Sequence, residues 1–262
     1  MSYQPIIPVG GLVGWSFLQR TMENQTAAFN SDAVLTRDTD YFEANIGKID
    51  TAEQLVGDRR LLRVALGAFG LQDDIDNKYF IQKMLEDGTI NDDALSNRLT
   101  DPRYKELVSA FGFGDFDIPS SKISDFGTKI TAAFRERSFE VAVGEQNDDM
   151  RLSLNADREL VDLAADSSSN DAKWFKILGS SPLKSVFQAA LAMPSAFGQL
   201  DIDKQLELFK DRAESVFGTS EISDFSDPAL REKLIERQLL MSQINSFQTS
   251  SSASIALTLL QS

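Results

Sequence analysis

The chain contains no histidine and no cysteine among its 262 residues. The first absence removes the side chain whose ordinary pKa lies nearest neutrality, and with it any Ser-His-Asp triad. The second removes the thiolate nucleophile and any Cys-His pair. Together they exclude imidazole and thiolate metal sites, haem ligation and iron–sulfur clusters. No disulfide can form, which would suit a chain that crosses an export channel unfolded. Positive charge is scarce: 26 Lys and Arg face 40 Asp and Glu, a net charge of −14. That field repels nucleic acid and anionic lipid, so neither is expected as a partner. Long apolar runs are lacking too. Met1 to Gly14 has no basic start, and Pro5 and Pro8 interrupt it. Ile255 to Leu260 is far too short to span a bilayer. We therefore expect no membrane insertion, and a protein that is cytoplasmic or exported without a cleaved signal peptide.

What the chain has is helical periodicity and, at 42% hydrophobic residues, enough apolar material for a core. After an extended arm over residues 1–14, Trp15, Leu18, Met22, Gln25 and Phe29 alternate at steps of three and four, one face of a helix. That face either docks on the protein's own core or pairs with another helix, with Gln25 setting register. Leu61 to Phe69 is apolar almost all round, the pattern of a central core helix, and Gly70 suits its stop. Asp74 is expected to start the next helix and Gly88 to end it. Asp101-Pro102 places a cap residue before a first-turn proline, and the helix after it stops at Gly112. Further helices are predicted over 124–143, 148–165 and 201–217. The last begins at Asp227-Pro228 and carries Leu240, Ile244 and Phe247, before a flexible polar tail, Thr249 to Ser254, and a short apolar end.

Two segments look alike. Tyr41-Phe42 matches Trp174-Phe175, Val64-Ala65-Leu66 matches Ala189-Ala190-Leu191, Asp74-Ile75-Asp76 matches Asp201-Ile202-Asp203, and Asp101-Pro102 matches Asp227-Pro228. The offsets are 133, 125, 127 and 126 residues, and the agreement of the last three points to an internal duplication. The expected architecture is an all-α multi-helix bundle built from two helical repeat units, residues 1–117 with the extended arm and 118–262 with the flexible tail.

Chemistry-bearing patterns fail on inspection. Asp73-Asp74-Ile75-Asp76 resembles half of a calcium loop, but the sixth position from Asp74 is Tyr79 and the twelfth is Leu85. From Asp87 the twelfth is Arg98. Gly10, Gly11 and Gly14 have the wrong spacing for a dinucleotide turn, and no P-loop motif exists. Arg59, Arg60 and Arg63 are expected to pair with neighbouring acids. No catalytic, cofactor-binding or metal-ligating residue is assigned, and no cofactor is expected.

Gly11-Leu12-Val13-Gly14-Trp15-Ser16-Phe17-Leu18-Gln19-Arg20-Thr21 resembles the opening of an uncharacterised bacterial domain-of-unknown-function family. The likeness continues through Leu61 to Leu71, Asp101-Pro102-Arg103-Tyr104 and Ala110-Phe111-Gly112-Phe113. The second copy departs at Met193-Pro194-Ser195, and has Ala229 and Leu230 where the first has Arg103 and Tyr104. Members of that family are often encoded in flagellar gene clusters. The resemblance implies a role in flagellar structure, assembly or export. It assigns no catalytic residue.

The function expected is therefore non-enzymatic: a flagellum-associated structural or assembly protein that contacts protein partners, flagellar components among them, through apolar helix faces. Trp15, Leu18 and Met22 are the candidate contacts at one end, and Leu240, Ile244 and Phe247 at the other. A cytoplasmic export chaperone or adaptor binding a flagellar client is the second reading, and a carboxylate-dependent hydrolase the third. Oligomeric state stays open.

Overall fold

The computed structural model describes residues 3–261, without the side chains of Ser195 and of the residues after Phe247. It is all-α, with thirteen α-helices and five short 3-10 turns and no strand among the described residues. In chain order the helices are α1 (Gly11–Asn30), α2 (Ala33–Asn45), α3 (Ala52–Gly57), α4 (Arg59–Ala68), α5 (Lys78–Asp87), α6 (Leu95–Arg98), α7 (Pro102–Phe111), α8 (Phe126–Gly144), α9 (Asp148–Ala165), α10 (Asn170–Gly179), α11 (Ser181–Ala190), α12 (Ile202–Phe217) and α13 (Pro228–Gln261).

The chain divides into two compact units. The first comprises Met1–Pro5 and Met22–Ala142; the second comprises Ile6–Thr21 and Val143–Ser262. A boundary at 117/118 would fall inside the first unit. The reason is α8, which carries Phe126, Ile130 and Phe134 into the same core as α2 to α7.

That first core centres on α4. Of its residues from Leu61 to Ala68, only Arg63 faces water. Phe42 from α2, Leu55 and Val56 from α3, Ile81, Met84 and Leu85 from α5, and Leu107, Val108 and Phe111 from α7 surround it. Each fully buried side chain of this size contributes roughly 1.5–3 kcal/mol. The Phe134 ring lies where a Cβ on Gly67 would be, so α8 seats directly on the α4 backbone. At the far side, Arg135 on α8 donates to the carbonyl of Asn30 at 2.8 Å and to the Thr39 hydroxyl. The cluster of arginines on α4 is fully engaged: Arg59 pairs with Asp76 at 2.6 Å, and Arg60 and Arg63 both reach the buried Asp38, at 3.5 and 3.1 Å.

The second core is aromatic. Trp174 on α10, Phe187 on α11, Phe197, Phe209 on α12 and Phe225 are all fully buried and meet at 4.5–6.3 Å between ring centres. The Trp174 indole N–H is satisfied by the carbonyl of Ser220 at 2.9 Å. Within α13, Leu234, Ile235 and Leu239 are buried apolar side chains.

Local chemistry explains most helix limits. Asp32, Asp58, Asp101, Asn147 and Ser169 accept first-turn N–H groups as N-caps. Gly112 and Gly218 end their helices in the left-handed conformation. Two limits differ from the sequence expectation. Helix α1 begins at Gly11 and not near Trp15, so the extended arm is shorter than 1–14. Helix α5 begins at Lys78 after Asn77, because Asp74 sits in a 3-10 turn and its carboxylate is held by Tyr104 and Asn77. The polar stretch read as a tail is continuous with α13 in its backbone; its side chains lie outside the described residues.

The two units share a local design around α3–α4 and α10–α11. Asp58 ends α3 and caps α4; Ser180 ends α10 and caps α11. Each second helix then closes through a 6→1 backbone bond, Leu71 N–H to Leu66 and Met193 N–H to Gln188, both at 2.9 Å. The residue at the left-handed position is Gly70 in one (φ 69°) and Ala192 in the other (φ 52°). The offset is 122 residues throughout, so Val64 corresponds to Val186 and Ala52, Leu55 and Val56 to Trp174, Ile177 and Leu178.

A left-handed conformation costs a residue with a Cβ about 1–2 kcal/mol. Gly70→Ala should therefore lower the unfolding free energy by about 1 kcal/mol or more, and Ala192→Gly should raise it by about 0.5–1 kcal/mol. Urea melts of the two variants check the opposite signs.

Candidate functional site

The extended residues before α1 lead directly into its first turn, and Gly14 is where they meet. A Cβ there would lie 1.8 Å from the carbonyl oxygen of Val9 and 2.5 Å from the Met150 methyl. No larger residue fits. One turn on, the Trp15 indole N–H donates to Glu232 Oε1 at 3.0 Å, and the Gln19 amide donates to Glu232 Oε2 at 2.9 Å. Glu232 is on the second turn of α13, so one carboxylate ties the first helix of the chain to the last. Gly11 faces Gln243 further along α13. Beneath, the buried Gln238 accepts from Ser153 at 2.8 Å and donates to Asp149, which also accepts from Ser242 at 2.7 Å.

This arrangement separates the six candidate contacts. Trp15 and Leu18 are 4% and 0% exposed. They are interior side chains and present no surface to a partner, because the apolar face that begins with them is consumed by the protein's own packing. Met22 is half-buried in the first unit. Leu240, Ile244 and Phe247 are different: they are 44%, 38% and 74% exposed and stand at i, i+4 and i+7, one stripe of α13. The start of α1 adds exposed Leu12 and Val13. The Glu232 clamp had no sequence signal, since its two donors lie 217 and 213 residues away.

A shallow cleft of roughly 270 Å³ in the first unit is lined by Glu43, Lys122, Ser121, Thr128 and neighbours. It holds one carboxylate, not a facing pair, and Glu43 already accepts from Thr131 at 2.6 Å. Among the described residues, no group of three or more acidic side chains is placed to hold a metal ion. The Asp74–Asp76 segment that resembles a calcium loop is committed to Tyr104, Asn77 and Arg59. No described helix is long and apolar enough to cross a membrane. The shifted titrations are those of pairs and caps. The hydrogen bond from Lys176 holds Asp166 down at about 2. Burial, then donation to Asp74, pushes Tyr104 up to about 12.

The sequence profile of the family "Protein of unknown function (DUF1217)" matches residues 68–230, more than half of the chain. The chain belongs to this family. The DUF1217 match covers α5 to α12 whole, and takes in the end of α4 and the opening of α13. In fold, the chain is similar to protein AGR_C_984 from Agrobacterium tumefaciens, known from an X-ray crystal structure. The TM-score is 0.73 and the identity 24%, over 92% of this chain and 99% of that one. No curated protein matches the sequence.

Two outcomes follow. Trp15→Ala should cost about 3–5 kcal/mol of unfolding free energy, as a buried large aromatic does, whereas Phe247→Ala should change it by less than about 0.5 kcal/mol; chemical denaturation separates them. Tyr104 has a folded pKa above its ordinary value, so its contribution is complete below about pH 10 and disappears as pH rises through about 12. Alkaline denaturation followed by circular dichroism should show Tyr104→Phe with a weaker pH dependence in that window.

Proposed function

We propose that this DUF1217 protein is a non-enzymatic, flagellum-associated structural or assembly component that works through protein contacts. One observation carries the contact part: the stripe Leu240, Ile244 and Phe247 on α13 is exposed and apolar, and lies on the same unit as the packed start of α1. The flagellar part rests on the resemblance to a family encoded among flagellar genes. The lack of histidine and cysteine removes the commonest general base and the thiol nucleophile.

We also infer that the two units descend from one duplicated helical unit. The constant offset of 122 residues through the shared cap, the core helix and the left-handed residue supports this better than the drifting offsets of the sequence motifs.

An in-frame deletion strain should lose swimming motility in soft agar and regain it on complementation. Recovery of the protein in filament or basal-body fractions supports a structural part; recovery only in the cytoplasm, bound to a flagellar subunit, supports the chaperone reading. Unimpaired swimming of the deletion strain would sink the flagellar assignment.

A further inference from the structure

Charge is absent from both ends of this acidic chain. Residues 1–19 and 238–262 contain no Asp, Glu, Lys or Arg, so all 66 charged side chains lie between Arg20 and Arg237. The structure brings parts of the two neutral segments together in the second unit, where Gly11 faces Gln243 and the Trp15–Glu232 bond sets their register. The exposed stripe Leu240, Ile244 and Phe247 lies in the neutral part of α13. Its spacing of four and three continues in the sequence to Ser251, Ser254 and Thr258, all small and uncharged.

The composition of α13 beyond Leu239 does little to hold it as a helix by itself. The helix runs for 34 residues, about 51 Å, and among its described side chains the last buried one is Leu239. From residue 240 on it has no charged pair at i, i+4 to support it, and Gln248 to Ser254 is rich in Ser and Thr, which are weak helix formers. A helix of that composition in water owes its stability to burial of a face against something else.

We propose that this neutral face is a self-association surface, and that its occupant is the α13 of a second copy of the chain. It rests on the protein-contact reading of the stripe, but not on the flagellar setting. Charge selects the occupant. Two bodies of net charge −14 repel wherever their charged surfaces meet. The neutral segments are where two copies approach without placing like charges in contact. A basic partner would find nothing there to pair with. The sign of the salt dependence follows: screening weakens the repulsion between bodies and leaves the apolar contact intact, so association strengthens with salt.

Sedimentation equilibrium of the full chain tests this. Wild type loaded from about 1 to about 100 µM should show a reversible monomer–dimer equilibrium. Its dissociation constant should fall as NaCl rises from about 0.05 to about 0.5 M. Ile244→Glu and Phe247→Glu bury an unpaired carboxylate in the contact and should weaken it at least about a hundredfold. Both sites are exposed, so urea midpoints should stay at the wild-type value. Val34→Glu adds the same charge at an exposed site in the first unit and should leave association unchanged. A wild type that stays monomeric over the whole range overturns the proposal and leaves the face to a different protein, without touching the swimming assay. Dimers unaffected by either glutamate on α13, or weakened equally by Val34→Glu, overturn it as well.

Discussion

The second unit depends on the carboxylate of Glu232. It accepts one hydrogen bond from the Trp15 indole and one from the Gln19 amide, and so fixes the first helix against the last. Hydrogen bonds to a charged acceptor are the stronger kind, worth roughly 1.5–3 kcal/mol, and this one also satisfies an indole N–H on a buried ring. With that register set, Gly14 can pack on the Val9 carbonyl and Gly11 can face Gln243. The unit is thus made from two stretches of chain, Ile6–Thr21 and Val143–Ser262.

The same economy runs through the helix ends. Guanidinium groups close carbonyls that capping leaves over: Arg103 on Gly70, Arg237 on Ala190, Arg231 on Phe225 and Ser226. Acidic side chains work from the opposite ends of helices as N-caps. The charge of these residues is therefore structural. It is spent at helix termini, where the backbone supplies a partner, and leaves no convergent cluster of carboxylates among the described residues.

Local chemistry was legible in the sequence and long-range pairing was not. Asp101-Pro102 and Gly112 announced their helix limits because a cap is decided within a few residues. The all-round apolar pattern of α4 announced a central helix for the same reason. Asp74 misled, because its carboxylate found Tyr104, thirty residues away, and left the helix start to Asn77. Trp15 and Leu18 read correctly as a helix face, but periodicity cannot tell a face that meets its own core from one that meets a stranger. Only the geometry of α13 separates them from Leu240, Ile244 and Phe247. Motif matching aligned helix-start chemistry at offsets that drift, whereas the local likeness of the two units includes the left-handed residue, a glycine in one and an alanine in the other.

The discontinuity of the second unit has a consequence during synthesis. Trp15 leaves the ribosome early, but Glu232 follows 217 residues later. At roughly 5–20 residues per second, the apolar side of α1 waits on the order of 10–40 seconds for its partner. For that interval the apolar residues Trp15 and Leu18 lack the α13 side of the unit that buries them. A product that ends before α13 has no Glu232, so its Trp15 indole N–H keeps no such acceptor.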